Sequence, residues 1–174
     1  MKGFESVIDD FCNGSYDCDL PDEVWKPVFE GIANSNKSLK FEKDKIHTLW
    51  TVNGGHLRRK VKDDDLVGNV LSVSLPGYNG EGLILYRGEL RFLYESGKVG
   101  FCWTPRIDVA KKFASAPNAA GPGGGMLLKA FAPSEAVLAP PNAHSSGQMK
   151  EFEYTCNPKL LINIEIQETF KQVY

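Results

Sequence analysis

A turn-rich stretch divides this chain into two parts of different character. Residues 76–82 read Pro-Gly-Tyr-Asn-Gly-Glu-Gly, a density of glycine and proline that neither a helix nor a strand tolerates. Before it, apolar residues recur at helical spacing, and after it short apolar runs and alternating segments predict strands. We therefore expect an α+β protein, with a mostly helical extension over residues 1–75 packed on one compact, β-rich core over residues 76–174.

The first part contains two segments with the pattern of an amphipathic helix. Residues 22–33 place three large apolar side chains on one helical face, with a proline that lies near the helix start or kinks the helix. Residues 44–52 predict a second helix, which the Asn-Gly-Gly sequence at 53–55 should end. Residues 65–75 are apolar and fit either a helix or a strand.

Strand patterns dominate the second part. Residues 83–86 form a continuous apolar run, which favours a strand covered on both faces. The isoleucines within residues 160–167 alternate with polar residues, as on one apolar face of a strand. Thr104 and Pro105 have the pattern of an N-cap and the first residue of a short helix. Further strands are predicted over residues 126–132, 137–139 and 153–156.

The charge of the chain does not point to a polyanionic partner. Twenty basic residues against 22 acidic ones give a net charge of −2, so neither nucleic acid nor an anionic membrane is an expected partner. The densest basic run, residues 58–62, is followed by three aspartates at 63–65, and this pattern predicts a solvated surface segment. Hydrophobic residues make up 42% of the chain, which is enough for a folded core.

The cysteines and histidines show no metal-binding spacing, so no metal is expected. Free thiols are the preferred interpretation, with a local disulfide between Cys12 and Cys18 as the alternative. There is no signal-peptide pattern, and no stretch approaches ~20 apolar residues. We expect the protein to be made in a cytoplasm, and export to a host or target cell by a route that leaves no such signal stays open.

Two short stretches carry residues suited to ligand binding. Arg87 follows an apolar run directly, and at a strand end its guanidinium fork can hold a phosphate, with Gly88 leaving room for the ligand. Thr104 follows Trp103 and can either cap a helix or orient a catalytic carboxylate. Each stretch also has a plain structural interpretation, as an ion-paired arginine or as a core aromatic residue beside a helix cap.

A third stretch is the Glu-Phe-Glu sequence at residues 151–153. In a strand, Glu151 and Glu153 point to the same face, where two carboxylates repel each other unless a cation or a hydrogen-bond network lies nearby. One use for such a pair is cleavage of a glycosidic bond, in which one carboxylate stabilises developing positive charge and the other prepares a nucleophile. The structural alternative is a solvent-facing edge strand with two harmless acids.

Taken in order, these stretches resemble the mono-ADP-ribosyltransferases, in particular the toxin-type branch with an Arg, a Ser-containing strand and a Glu-x-Glu pair. The resemblance covers residues 83–168 and rests on residues 86–88, 100–104, 109–114 and 151–158. It implies a split β-sandwich around an NAD cleft. It also implies transfer of ADP-ribose from NAD to a protein side chain, with arginine the expected acceptor, release of nicotinamide, and NAD hydrolysis as a side activity.

The resemblance implies roles for individual residues. Arg87 would contact the NAD phosphates, Glu153 would bind the ribose 2′-hydroxyl and stabilise positive charge on C1′, and Glu151 would help the acceptor attack. Cys102 stands at the first serine of the Ser-Thr-Ser strand, where a thiol is a weaker hydrogen-bond donor. The expected NAD-binding residues are Arg87, Tyr86, Gly88, Cys102, Trp103, Thr104 and Phe113. The expected acceptor loop over residues 140–150 contributes His144, Ser145, Ser146 and Gln148.

Other functions stay open at the level of sequence. Cys102 is compatible with weakened catalysis, which would leave a binding module that blocks a protein partner. Transfer to a nucleic acid or a small molecule is a further alternative, and the net charge disfavours nucleic acid. As a transferase, the chain would be a bacterial or phage effector or toxin, and an antitoxin or immunity protein would be a further partner. A Cys102 nucleophile with His144 as its base is disfavoured, because nothing in the sequence places them together.

Overall fold

The computed structural model describes residues 3–35 and 39–173. They form helices and two antiparallel sheets of three strands each, so the predicted α+β class is confirmed. Contacts within the chain divide it into two units, residues 1–76 and 77–174. This division lies one residue from the change of character at residue 75 that the sequence predicts.

The first unit is helical and has its own core. Its helices are α1 Phe4–Cys12, α2 Trp25–Ala33, α3 Lys43–Val61 and α4 Asp64–Ser74, with a 3-10 turn at Asp22–Val24 before α2. The buried rings of Phe11 and Phe29 lie 5.2 Å apart between α1 and α2. Pro27 lies in the first turn of α2, where a missing N–H leaves no helical hydrogen bond unmade. The predicted helix over residues 22–33 is confirmed, with α-helical geometry from Trp25 onward.

Helix α3 runs through the glycines that were expected to end it. The prediction of a stop at 53–55 is wrong, because α3 continues to Val61. A Cβ atom on Gly54 would lie 2.8 Å from the Trp50 ring, so a glycine lets the indole pack along the helix. Leu57 and Val61 are fully buried. Burying two such side chains contributes about 3–6 kcal/mol, which exceeds the ~2 kcal/mol that two glycines cost a helix.

The segment that fitted either a helix or a strand is helix α4. Asp63 caps it by accepting a hydrogen bond from Leu66 N–H at 3.1 Å. Arg58 donates two hydrogen bonds of 2.7 Å to Asp64, and the Arg58 side chain is 15% exposed. The basic run and the aspartates after it therefore form a structural junction between α3 and α4. The segment lies at the surface, as predicted, but its ion-paired side chains are only partly exposed.

Two sheets build the second unit. Its strands are β1 Leu83–Leu90, β2 Cys102–Trp103, β3 Gly125–Ala132, β4 Val137–Ala139, β5 Tyr154–Cys156 and β6 Ile162–Phe170. The first sheet has the order β1-β3-β6 and the second the order β2-β5-β4. Its helical elements are α5 Arg91–Glu95, α6 Ile107–Ser115, 3-10 turns at Asn118–Ala120, Ser134–Ala136 and Pro158–Leu160, and a π-helical turn at His144–Gln148. Among the helices of residues 3–35 and 39–173, none has the length and apolar character needed to cross a bilayer.

The two sheets share a core and a backbone junction. Leu85 and Leu128 from the first sheet lie in the same buried cluster as Trp103 from the second. Tyr86 and Thr104 join the sheets directly, since each donates its N–H to the carbonyl of the other, at 2.7 and 2.9 Å. Strand β1 is thereby held beside β2, and the side chains next to this junction are brought together.

Strand β6 does not present the single apolar face that its alternation predicts. Ile162 pairs with Phe131 and Ile166 pairs with Leu128, and β6 has one more residue than β3 between these pairs. Asn163, within this irregular stretch, has a left-handed φ of 52°. An extra residue of this kind moves the following side chains to the opposite face. Ile162 and Ile166 consequently lie on different faces, and they are 47% and 43% exposed.

All four cysteines are free thiols, as predicted. Cys12 is buried and Cys18 is exposed, so the alternative of a local disulfide is not what the structure contains.

Candidate active site

Arg87 lies inside strand β1. The expectation that this strand would end at Tyr86 is wrong, because β1 continues to Leu90 and pairs with β3 along its whole length. The prediction that this strand is covered on both faces is also not fully met, because Ile84 on β1 is 44% exposed. The Arg87 side chain therefore lies on the face of the first sheet that is nearest to β2. Its Nη1 atom donates a hydrogen bond to the carbonyl of Cys102 at 2.7 Å.

Glu89 holds the Arg87 guanidinium in place. Residues two apart in a strand share a face, and Glu89 Oε2 accepts a hydrogen bond from Arg87 Nε at 2.6 Å. Glu89 is 1% exposed and also accepts from the N–H groups of Gly100 and Leu90, at 2.8 and 2.9 Å. Burial alone would raise the pKa of Glu89, but the charge of Arg87 and these hydrogen bonds hold it below its ordinary value. Glu89 was not a predicted site residue, although its two-residue spacing from Arg87 in a strand could have indicated it.

Tyr86, Gly88 and Phe113 lie on the other side of the first sheet. A Cβ atom on Gly88 would lie 2.5 Å from the carbonyl oxygen of Ala110, so the backbone of α6 fills the space that the sequence suggested for a ligand. Tyr86 packs against the small core beneath α6, and Phe113 is 38% exposed on that helix. The structure thus separates these three predicted NAD-binding residues from Arg87.

Glu153 immediately precedes β5 and lies close to both Arg87 and Cys102. Within residues 3–35 and 39–173, its buried Oε1 atom has no hydrogen-bond partner. Burial raises the pKa of Glu153 to about 7, and the charge of Glu151 acts in the same direction. A hydrogen bond from the Cys102 thiol and the charge of Arg87 act in the opposite direction. Glu153 therefore gains and loses its proton near neutral pH.

The thiol of Cys102 lies beside the Glu153 carboxylate, and its donor character lowers the pKa of that group. Cys102 pairs with Thr155 across β2 and β5, which brings it beside the residue that precedes β5. Burial and the negative charge of Glu153 raise the pKa of the Cys102 thiol well above its ordinary value, so the thiol stays protonated at neutral pH. This geometry gives no support to a thiolate nucleophile, and His144 lies near Glu151 instead.

The Glu-Phe-Glu segment is not part of a strand. The strand predicted over residues 153–156 is present as β5, which begins at Tyr154, but Phe152 has a φ of 51°, so the expectation that both glutamates share one face of a strand is wrong. A left-handed conformation at such a residue costs ~1–3 kcal/mol. The two carboxylates still come close enough for the charge of Glu151 to raise the pKa of Glu153. Burial raises the pKa of Glu151 as well, and the charge of His144 opposes this.

Thr104 ties the end of β2 to this segment. Helix α6 begins at Ile107 with Arg106 at its N-cap position, so the prediction of Thr104 as the cap and Pro105 as the first helical residue is wrong. Thr104 Oγ1 accepts a hydrogen bond from Arg106 N–H at 3.2 Å and donates one to the carbonyl of Glu151 at 2.6 Å. The Thr104 hydroxyl therefore contacts the backbone of the Glu-Phe-Glu segment and not the carboxylate of Glu153.

Trp103 and the residues of the predicted acceptor loop differ in their access to solvent. Trp103 is 1% exposed and donates its indole N–H to a backbone carbonyl at 2.9 Å, so it is a core residue. Ser145 is 2% exposed, whereas Gln148 is exposed and His144 and Ser146 are partly buried. Solvent therefore reaches the side chains of His144, Ser146 and Gln148, but not that of Ser145.

Arg87, Glu89, Cys102 and Glu153 thus form one group at the junction of the two sheets, which we call the junction cluster. Comparison with models of protein families, with curated proteins and with solved structures finds no match. In the part of the chain that the structure describes, no group of His, Cys, Asp and Glu side chains has an arrangement that could hold a metal ion. The junction cluster combines a buried carboxylate, a fixed cation and a thiol donor, which suits the stabilisation of positive charge beside an anionic group.

Proposed function

We propose that this protein is a mono-ADP-ribosyltransferase that moves ADP-ribose from NAD to a protein side chain, with arginine as the first acceptor to test. The observation that carries the proposal is the partly buried Glu153 carboxylate near the Arg87 guanidinium, whose buried Oε1 atom has no hydrogen-bond partner among the described residues. The order of motifs along the chain adds support. A split β-sandwich of the toxin-type branch, with its cleft beside the junction cluster, is part of the same proposal.

The junction cluster fits NAD in two respects. A buried carboxylate oxygen without a donor is costly, and a ribose hydroxyl is a donor that would satisfy Glu153 Oε1. Arg87 donates to the protein from Nε and Nη1, and a guanidinium has further N–H groups that suit a pyrophosphate. Because Glu89 and a backbone carbonyl hold Arg87, it needs little ordering when an anion binds.

The proposed reaction uses the two carboxylates in different ways. NAD supplies the ADP-ribosyl group and nicotinamide as the leaving group, which takes the bonding electrons. Glu153, as an anion in a buried site, stabilises the positive charge that develops on the ribose carbon. Glu151 accepts the proton from the acceptor's N–H group as the new bond to that carbon forms, and its raised pKa makes it a better base. With water as the acceptor, the same residues would hydrolyse NAD.

The test is transfer of label from NAD to protein. Purified protein is mixed with NAD labelled in its adenylate part and with a bacterial lysate, and compared with Glu153→Gln and Glu165→Gln. Glu165 is exposed on β6, so its variant loses a carboxylate away from the junction cluster. We expect labelled protein with the wild type and Glu165→Gln, and ~100-fold less with Glu153→Gln.

The outcomes separate the candidate functions. Equal labelling by Glu153→Gln would refute the assignment of the catalytic carboxylate. Label in the nucleic-acid or small-molecule fraction would keep the reaction and change the acceptor class. NAD binding without nicotinamide release in several lysates would favour a binding module that blocks a protein partner, with the weak donor at Cys102 as the suspected reason.

A further inference from the structure

One buried serine holds the backbone of both glutamates. Ser145 is 2% exposed, and its carbonyl accepts hydrogen bonds from the N–H groups of Glu151 at 2.8 Å and Phe152 at 3.3 Å. Its Oγ accepts a hydrogen bond from Glu153 N–H at 2.6 Å. Three successive backbone N–H groups of the Glu-Phe-Glu segment therefore donate their hydrogen bonds to one residue, Ser145.

These hydrogen bonds stabilise a backbone shape that the chain does not otherwise prefer. Lys150 and Phe152 have φ values of 56° and 51°, a left-handed conformation that is unfavourable for residues with a Cβ atom. The hydrogen bonds that Ser145 accepts, together with the one that Thr104 donates to the Glu151 carbonyl, offset this cost. Without them, the segment is free to relax toward the extended strand that its sequence favours.

Ser145 is itself fixed by its own turn. Its N–H donates to Asn142 Oδ1 at 2.8 Å, and it lies in the π-helical turn His144–Gln148. Turns of this kind are rare and occur frequently at functional sites. The hydroxyl of the neighbouring Ser146 donates a hydrogen bond to the carbonyl of Asn142, which lies just before the turn, at 2.7 Å. Two adjacent serines thus have different partners, and only Ser145 reaches the glutamates.

We infer that Ser145 is a positioning residue for ADP-ribosyl transfer, because its hydroxyl and carbonyl set the relative placement of Glu151 and Glu153. The inference rests on the proposed function. Ser145 acts from beneath the loop and not through contact with the acceptor. Its loss should misplace the stabilising anion and the base while leaving Arg87 and its partners unchanged, so it should lower kcat more than it raises the KM for NAD.

The experiment compares Ser145→Ala, Ser145→Thr and Ser96→Ala. Ser145→Ala removes only the Oγ acceptor of the hydrogen bond from Glu153 N–H, and Ser96→Ala removes an exposed serine hydroxyl that donates to the carbonyl of Leu93 and does not contact the glutamates. We expect kcat for nicotinamide release to fall ~10–100-fold in Ser145→Ala, with the KM for NAD changed less than about threefold. Ser145→Thr keeps a hydroxyl and should recover part of the loss, and Ser96→Ala should stay within about twofold of the wild type.

Two results would overturn the inference. One is a kcat of Ser145→Ala within about twofold of the wild type. The other is a loss in Ser145→Ala that follows KM and thermal stability, which would indicate a merely structural role.

Amide hydrogen exchange distinguishes failure of the inference from failure of the proposed function. If the wild type does not turn over NAD, the proposed function fails, and exchange at Glu153 N–H still tests the hydrogen bond that this group donates to Ser145 Oγ. Faster exchange at Glu153 N–H in Ser145→Ala than in Ser96→Ala supports the positioning contact, and equal exchange refutes it.

Discussion

Replacing the sulfur of Cys102 by oxygen should shift the pH dependence of the proposed reaction. Glu153 must be ionised to stabilise positive charge, and its pKa of about 7 leaves about half of the molecules with that anion at pH 7. The Cys102 thiol is a donor that lowers this pKa, and a hydroxyl is the stronger donor. If Cys102→Ser strengthens the hydrogen bond to the anion by ~1.4 kcal/mol, the pKa of Glu153 falls to about 6.

The size of the effect depends on the pH of the assay. At pH 6 the ionised fraction of Glu153 rises from about one tenth to about one half, so kcat/KM should rise about fivefold in Cys102→Ser and change little at pH 8. Cys102→Ala removes the donor and should raise the pKa by a similar amount. Its kcat/KM at pH 7 should then fall about fivefold and recover above about pH 9.

The assay is nicotinamide release measured from pH 5 to 9 at low NAD, because kcat/KM reports the pKa values of the free enzyme. Cys18→Ser, which changes an exposed thiol, is the matched control and should leave the profile unchanged. Shifts of both Cys102 variants in the same direction would refute the thiol as a donor to Glu153. A wild-type kcat/KM that falls as the pH rises through 7 would refute the requirement for an ionised Glu153.

Three other substitutions have outcomes that the structure specifies. In Gly100→Ala, the new Cβ lies 2.5 Å from Arg87 Cζ, so displacement of the guanidinium should weaken NAD binding at least ~10-fold by calorimetry. Glu153→Gln should unfold at higher urea than the wild type at pH 8 but not at pH 4, because moving a pKa from 4.5 to about 7 on folding costs ~3 kcal/mol once both states are ionised. Gly88→Ala forces a Cβ against the backbone of α6 and should lower the free energy of unfolding by ~2 kcal/mol or more in the same assay.

Local patterns were sufficient to predict much of the fold. The helix over residues 22–33 and the strands over 126–132 and 137–139 are present, because their apolar spacing already defines which face is buried. The sequence also singled out Arg87 and Glu153, which the fold brings together although they are 66 positions apart in the chain. Their catalytic roles remain predictions.

Contacts between distant segments of the chain determine the structural features that local sequence patterns did not predict. Helix α3 continues past its glycines because Leu57 and Val61 are buried there. The segment at residues 151–153 bends away from the strand that its spacing favours, because Ser145 and Thr104 bind its backbone.

The sequence by itself determined the residue types, the α+β class and the order of the candidate motifs. Tertiary structure decided which of those residues share a site, and it placed Gly88 under α6 and Glu89 beside Arg87. The physical reason is that periodicity records only which face of a segment is buried. The pKa of Glu153 and the orientation of Arg87 depend instead on groups that approach from other segments of the chain.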